Sequence, residues 1–382
     1  KMEAKDFEGA LSLCKKTVRE LDTYWLDAAR IGAELSLYLK RHKQAQVFFD
    51  IVLKAKALPW AKLGLAQLAY SSDDAAKARG TLEALVSGQV DLAKSVAQRP
   101  TLPVLSLIVG GLVFGVGMTL AGGCANKNLV RLGGGSLRSL VVLVFLAVSA
   151  YMTLKGLFGQ WRASMLDPIT VDVGATGLGQ AVARLSGLAQ PTALLLTVLA
   201  LSLGLLAFIF KDKRFRSNRS HQFGGLALGL VIVAGWYLTG HLGYGENPET
   251  LETVYFATNT RTLESLSLVA PAAFSLELLM LWTDKSLHAS FGIATLLGMF
   301  LGSLAYALGT RQFRWEGFAS VDDLRAHLIG AVLMGFGGVT ALGCTIGQGM
   351  SGLSTLALGS VVAVLGLTGG AVATMKYQIW RA

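Results

Sequence analysis

Long apolar runs separated by short polar segments make up the chain from Pro103 onward. A straight helix needs about 20 apolar residues to cross a bilayer. The runs at 137–158, 191–210, 223–240 and 288–309 meet that length, and shorter or interrupted apolar runs occupy 103–122, 266–283, 328–342 and 356–375. This pattern predicts an all-α, polytopic helical membrane protein.

Three of these runs are predicted to be interrupted rather than straight. The run at 266–283 contains Pro271 and ends in Trp282, Asp284 and Lys285, which indicates a segment that dips into the membrane and returns. The runs at 103–122 and 328–342 each end in a Gly-Cys loop. Irregular backbone at membrane depth is tolerated only where it is buried in protein or lines a cavity, so we expect broken or re-entrant helices at both loops.

Residues 1–86 have a different pattern of apolar and polar positions. It predicts amphipathic helices that repeat with a period near 35 residues. Small residues recur at that spacing, and Cys or a large residue follows each four positions later: Ala10, Ala45 and Ala78 precede Cys14, Phe49 and Leu82, and Trp25 and Trp60 recur likewise. This loosely resembles the tetratricopeptide repeat, a stack of helical hairpins. We therefore predict two parts, a tetratricopeptide-like segment at 1–86 and a membrane domain at 87–382, with Cys14 as a buried small hydrophobe.

Charge supports the same division. Of the 34 Lys and Arg and the 24 Asp and Glu, 16 and 12 lie in the first 99 residues. The net charge of +10 does not indicate nucleic-acid binding, because the densest basic cluster, Lys211–Arg219, lies between two apolar runs. It is typical of a cytoplasmic loop of a bacterial inner-membrane protein.

That orientation would start the 103–122 helix on the opposite side, directly after residues 1–86. Three explanations stay open: a membrane segment is missing, the front is a fusion, or the chain was assembled from two sources. Whether residues 1–86 natively belong to this chain is therefore undecided.

An internal repeat relates the two Gly-Cys loops. With Cys124 placed over Cys344, an offset of 220, four glycine pairs coincide: Gly110 with Gly330, Gly115 with Gly335, Gly117 with Gly337, and Gly123 with Gly343. After a four-residue insertion, Gly135-Ser136 meets Gly359-Ser360. Two broken segments in corresponding halves are the sequence pointer to a transport site near the membrane midplane.

The residues around each break are the candidate substrate-binding residues. A neutral thiol is a weak donor with a polarizable sulfur, which suits a soft sulfur anion that must be released again. The predicted set is Cys124, Cys344, Gly123, Gly343, Asn126, Lys127, Thr345 and Gln348, with Arg131, His288 and Ser290 as weaker members. Alternatively, the cysteines fill space, the two cations anchor to headgroups, and the polar residues satisfy loop backbone.

The loops themselves carry a family resemblance. AGGCANKNLVRLGGGSLRSLVVL and ALGCTIGQGMSGLSTLALGS resemble the two signature segments of the YeeE/YedE family of inner-membrane thiosulfate transporters, and the resemblance runs from about residue 87 to 382. It implies an all-helical fold with inverted halves, an hourglass shape, and passage of thiosulfate past cysteine thiols. We carry that role over to Cys124 and Cys344.

Two features depart from the family pattern. A further pore cysteine is expected between these two, but the corresponding region holds Ser290 and Phe291. The relay is then incomplete, or Ser290 or His288 substitutes, or the substrate differs; a lone His288 near a helix start more often caps or lies at the interface. Several membrane helices are also expected where residues 1–86 stand.

The predicted function is uptake of thiosulfate or a related small sulfur anion, without enzymatic activity, metal or other cofactor. The three cysteines include no CxxC pair and suggest no disulfide framework. Two alternatives stay open: a membrane sulfurtransferase that carries sulfane sulfur on Cys124 or Cys344, and an interaction module that docks a partner on residues 1–86. The expected partners are the anion, the lipid bilayer and a small sulfur-carrier or docked protein.

Overall fold

The computed structural model describes residues 7–20, 25–39, 41–55, 95, 97–98, 101–172, 175–246, 253–284 and 287–381. The chain divides into two compact units, residues 1–90 and 91–382.

The described part of the first unit consists of three helices, α1 (Phe7–Glu20), α2 (Trp25–Tyr38) and α3 (His42–Ala55). Helix α2 packs against both α1 and α3. The predicted core positions Ala10, Cys14, Ala45 and Phe49 are buried. Ala78, Leu82 and Trp60 lie outside the described residues, so the tetratricopeptide-like repeat stays a prediction. Burial raises the pKa of the Cys14 thiol, which disfavours the reactive thiolate and agrees with a packing role.

The second unit is almost entirely helical, with short antiparallel pairs β1–β2 (Thr101–Leu102, Val171–Asp172) and β3–β4 (Tyr244–Glu246, Thr253–Tyr255). Its helices are α4 (Val104–Leu120), α5 (Ala125–Gly133), α6 (Leu137–Lys155), α7 (Leu157–Met165), α8 (Leu178–Ser186), α9 (Gln190–Lys211), α10 (Lys213–Ser217), α11 (Arg219–Tyr237), α12 (Val269–Met280), α13 (Phe291–Gly309), α14 (Val321–Thr340) and α15 (Leu358–Arg381). Two π-helical segments, Leu238–Leu242 and Gly347–Gly352, follow α11 and α14.

Six spans among the described residues are long and apolar enough to cross a membrane: Val104–Gly133, Leu137–Lys155, Gln190–Lys211, Arg219–Leu242, Phe291–Gly309 and Leu358–Trp380. This confirms the predicted all-α, polytopic membrane protein. Exposed leucine, valine and phenylalanine side chains on α9 and α11 are accounted for by contact with lipid.

Helix α12 is too short to cross. Its 12 residues span about 18 Å, against a hydrocarbon core of about 30 Å. Pro271 is its third residue, where the first turn needs no N–H from proline. The prediction that the 266–283 segment does not cross straight is therefore confirmed.

Helix α14 begins seven residues before the apolar run that predicted it. Ser320 caps it by accepting a hydrogen bond from the Asp323 N–H at 3.1 Å, and Asp322 and Asp323 occupy its first turn. Acidic side chains are stabilised there by the partial positive charge of a helix N-terminus, so a polar turn extends the apolar segment.

Helices α4 and α14 cross in antiparallel directions through matched glycines. A Cβ on Gly117 would lie 2.7 Å from the Gly330 carbonyl oxygen, and one on Gly337 would lie 2.6 Å from the Gly110 carbonyl oxygen. Gly330 and Gly337 are the repeat equivalents of Gly110 and Gly117. Each contact is therefore repeated with the halves exchanged, which places the two helices around a pseudo-two-fold axis and supports the predicted inverted repeat.

The helices that flank this crossing follow the same symmetry. Gly115 of α4 packs against Leu367 and Ala371 of α15, and Gly335 of α14 packs in the same way against Leu146 and Ala150 of α6. The first helix of each half thus contacts the last helix of the other half.

The same contacts relate α6 to α15 by an offset of 221, and these helices begin at Leu137 and Leu358. The sequence alignment placed Ser136 over Ser360 with a four-residue insertion, whereas the structure makes Ser139 the equivalent of Ser360. The position of each helix along its neighbour decides which residues of α6 and α15 are equivalent, and the sequence does not show that position.

Substitution at the crossing tests its tightness. We expect Gly337→Ala to destabilise the protein by about 1–3 kcal/mol, because the new methyl group meets the Phe114 N–H nitrogen at 2.5 Å and backbone cannot move aside. Gly298→Ala on α13, where no atom lies within 4 Å, is the matched control and should be neutral. Thermal unfolding in detergent measures both; equal midpoints for the two variants would contradict the close crossing.

Candidate functional site

Both predicted breaks are present and share one turn geometry. After α4 ends at Leu120, the Gly123 N–H bonds the Met118 carbonyl at 2.8 Å, and after α14 the Gly343 N–H bonds the Gly338 carbonyl at 2.8 Å. The residue before each is left-handed, with φ +69° at Gly122 and +58° at Leu342. The two turns are related by the repeat offset of 220, although only the first has glycine at the position that favours it.

A buried side-chain amide holds the first break. The Asn128 Nδ2 group donates to the carbonyl oxygens of Gly123 at 2.9 Å and Cys124 at 3.3 Å. The Ser139 hydroxyl donates to the Asn128 Oδ1 atom at 3.0 Å. Asn128 is 1% exposed, so these bonds satisfy backbone that water cannot reach.

The second break repeats this arrangement. The Gln348 Nε2 group donates to the Ala341 carbonyl oxygen at 2.8 Å, and the Ser360 hydroxyl donates to Gln348 Oε1 at 2.6 Å. Gln348 lies 220 positions after Asn128 and Ser360 lies 221 after Ser139. Each half therefore uses a buried amide, positioned by a serine on the following helix, to hold its broken backbone.

This arrangement changes the interpretation of Gln348. Both ends of its amide have partners within the chain, so it holds loop backbone, and its contact with substrate stays a prediction. The sequence analysis did not select Asn128, although the repeat offset connects Asn128 with Gln348 and would have found it.

Cys344 is buried where two segments begin. It is 1% exposed, and its Sγ atom accepts a hydrogen bond from the Gly347 N–H at 3.5 Å. The backbone N–H groups of Ile346 and Leu268 also lie close enough to act on this thiol. Leu268 precedes α12 and Ile346 precedes the π-helical segment. Because the N-terminal end of a helix carries partial positive charge, this position favours electron-rich atoms.

Cys124 lies at the matching position in the first half, as the N-cap of α5. It is half-buried and packs against the cluster of buried residues that contains Cys344. The two sulfur atoms are near enough for a charge on one to act on the other. Two thiols 220 residues apart in the chain thus meet in one region between the halves.

Two cations accompany the first break. Lys127 lies in the first turn of α5, with its aliphatic chain over Gly123, and Arg131 donates to the Gly122 carbonyl oxygen at 3.0 Å. Within the described parts of the chain, neither has an acidic partner within 4 Å. A lysine at a helix N-terminus opposes the helix dipole, so the positive potential here is left for an anion.

The remaining polar candidates differ in their surroundings. Asn126 is half-buried, and its Oδ1 atom has no hydrogen-bond partner among the described residues. Thr345 is half-buried directly after Cys344. Gly123 and Gly343 leave no room for a Cβ, because Lys127 and Gln348 lie against them. These positions stay predicted parts of the substrate site.

The region expected to replace the missing cysteine has a structural task. Ser290 is 7% exposed and caps α13 by accepting a hydrogen bond from the Ile293 N–H at 3.4 Å. It lies next to α12, since a Cβ on Gly292 would be 2.6 Å from Pro271. His288 is exposed and lies outside the helix. Ser290 is therefore buried beside α12, whereas His288 is exposed. The Ser290 hydroxyl is engaged in capping α13.

The fold and the site define a class: a polytopic helical membrane protein whose inverted halves each break at a Gly-Cys turn. The family model described as "Sulphur transport" matches residues 77–373, and the chain belongs to this family. Membership indicates a transporter rather than an enzyme.

Two curated relatives are similar over about two thirds of this chain. The thiosulfate transporter TsuA of Escherichia coli is 27% identical over 268 residues, which cover 65% of this chain and 67% of that protein. The thiosulfate transporter TsuA of Spirochaeta thermophila is 28% identical over 262 residues, covering 67% and 72% of the two chains.

Removing the buried amides should loosen the breaks. We expect Asn128→Leu and Gln348→Met each to lower stability by about 1–3 kcal/mol, because loop carbonyls lose their buried donor. Gln160→Met, at an exposed position on α7, is the control and should change stability by less than about 0.5 kcal/mol. Thermal unfolding in detergent is the measurement, and an unchanged midpoint in both test variants would reject the positioning role.

Exposure predicts an order of thiol reactivity. Cys124 is half-buried and Cys344 is 1% exposed, so N-ethylmaleimide should modify Cys124 at least about tenfold faster. Mass spectrometry of the native protein over time measures both sites, with denatured protein as the control for complete labelling. Faster labelling of Cys344 would show that the second break is more open than described.

Proposed function

We propose that this protein carries thiosulfate, or a closely related small sulfur anion, across a bacterial inner membrane along a route that passes Cys124 and Cys344. One observation carries the proposal: the two cysteines of the inverted halves lie at helix breaks and share one packed region. Membership of the sulfur-transport family and the names of the two relatives support the choice of substrate.

The chemistry of the breaks suits such an anion. Its oxygen atoms suit the backbone N–H groups at the start of α5, which no side chain caps, and the field of the helix ends opposes the cost of leaving water. Its terminal sulfur is soft and polarizable, as are the two thiols. A thiol donates only weakly, so the anion is held without being trapped, as rapid passage requires.

The route we propose uses two thiols rather than three. The hydroxyl of Ser290 is engaged as the cap of α13, and His288 is exposed, so neither supplies an obvious third thiol-like contact. The missing third thiol changes substrate selectivity. With fewer soft sulfur contacts, the site favours substrates whose oxygen atoms contribute more of the binding energy.

Transport is favoured over sulfur transfer by membership of the sulfur-transport family, and burial of Cys344 leaves Cys124 as the more accessible thiol. A sulfurtransferase needs an accessible thiolate for attack on sulfane sulfur, whereas Cys344 is 1% exposed. Docking of a sulfur-carrier or another protein on residues 1–86 stays a prediction about the first unit.

Uptake measurements test the proposal directly. Cells with thiosulfate as their only sulfur source should grow with the intact chain, and Cys124→Ala/Cys344→Ala should reduce initial uptake of radiolabelled thiosulfate by at least about tenfold, the size of one lost interaction of about 1.4 kcal/mol. Cys14→Ala, in the other unit, is the matched control and should transport normally, provided that membrane levels are equal. Wild-type uptake in the double variant would reject the thiol-lined route.

A further inference from the structure

A polar cavity of about 480 Å³ opens beside the first break, on the side of Gly122. Charged side chains from three parts of the chain line it: Arg131 from α5, Arg138 from α6, and Glu316 and His327 from the segment before α14 and from α14 itself. Cys124 is not part of its lining, although Gly122, two residues earlier, is. We call this cavity, which lies beside the first break, the chamber.

Charges in and around this chamber balance when His327 is neutral. Arg138 contacts two carboxylates, with Nη2 3.4 Å from Glu316 Oε2 and Nη1 3.6 Å from Asp323 Oδ2. Arg131 has no acidic partner within 4 Å among the described residues. Two guanidinium groups thus face two carboxylates, and the charge of His327 decides the sign of the chamber.

The hydrogen bonds of His327 determine where its second proton goes. Its Nδ1 atom lies 2.7 Å from the Asp323 backbone oxygen and 3.0 Å from the Asp323 Oδ1 atom. Between two acceptors, Nδ1 carries the proton of the neutral ring. Protonation therefore takes place at Nε2, which faces the break and lies 3.5 Å from the point where a Gly122 Cβ would sit.

The Arg131 side chain approaches the same position, where a Gly122 Cβ would sit. Its Nη1 atom is also 3.5 Å from the Gly122 Cβ position, and glycine leaves the space between the two nitrogen atoms open. A protonated Nε2 and a guanidinium group then converge on one small volume at the cavity wall. Such convergence of donors is what a tetrahedral oxyanion requires.

We propose that this chamber is a receiving site for a doubly charged oxyanion such as thiosulfate, and that a proton on His327 sets its affinity. The site binds the anion between Arg131 and His327 before the anion reaches Cys124. Because binding and protonation are reciprocal, the anion also increases proton uptake by His327, so anion and proton enter the chamber together. This inference rests on the proposed function for the identity of the anion.

Equilibrium binding of radiolabelled thiosulfate to the purified full chain tests the site apart from transport. The measurement uses the Cys124→Ala/Cys344→Ala protein, in which the thiol route is removed, at pH 8 and pH 5.5. Thiosulfate stays a dianion at both values. We expect affinity to rise about tenfold at the lower pH, as one added charge close to the ligand implies.

Two variants separate charge from packing. His327→Gln keeps a donor for Asp323 but cannot gain a proton, so its affinity should be the same at pH 5.5 and pH 8. Arg131→Gln should weaken binding about tenfold at both pH values. His221→Gln and Arg325→Gln, at exposed positions, are the matched controls and should behave like the parent protein.

The outcomes distinguish this site from the proposed function. Failure of thiosulfate to bind, or an undiminished pH effect in folded His327→Gln protein, would overturn the receiving site even if wild-type cells take up thiosulfate. Binding with the expected pH response in a protein that transports no thiosulfate would support the site and reject the transport proposal. Proton uptake on binding, present in the parent and absent in His327→Gln, is the confirming measurement.

Discussion

A helix that ends inside a bilayer exposes backbone N–H and C=O groups that lipid cannot satisfy, and the structure of this protein is organised around that constraint. Each half contains one such end. The chain reverses in a tight turn, a buried amide bonds the freed carbonyl groups, and a serine on the next helix bonds the amide. The N–H groups at the starts of the following segments point towards the Cys344 thiol, and they leave a positive potential between the halves.

Close contact between the halves depends on glycine. The crossing of α4 and α14 brings backbone within reach of backbone at Gly110, Gly117, Gly330 and Gly337, and the outer helices exchange partners around it. Without a hydrophobic drive to associate in lipid, such close packing supplies the attraction. It also fixes the distance between the two breaks, so the same glycines that stabilise the fold bring Cys124 and Cys344 into one region.

The two halves are symmetric in backbone and asymmetric in charge. Lys127 and Arg131 follow the first break, whereas the repeat offset of 220 places the uncharged residues Gly347 and Ser351 at the corresponding positions after the second. On the proposed route, an anion would meet cations and His327 beside the first break and mainly backbone donors beside the second. This difference in charge makes the two ends of the proposed route unlike, although a pseudo-two-fold axis relates the two halves.

The amino-acid sequence determined the membrane class, the short α12, the two Gly-Cys breaks and their repeat, because hydrophobic length, proline position and glycine spacing are local properties. Gly337 and Cys344 were identified from letters alone. Only the tertiary structure decided that Gln348 holds a loop, that Asn128 is its counterpart, and that Ser139 rather than Ser136 matches Ser360. It also decided that His327, distant in sequence, lies beside Gly122. These depend on the depth and rotation of packed helices, which are set by contacts between residues about 200 positions apart and leave no periodic signal in the chain.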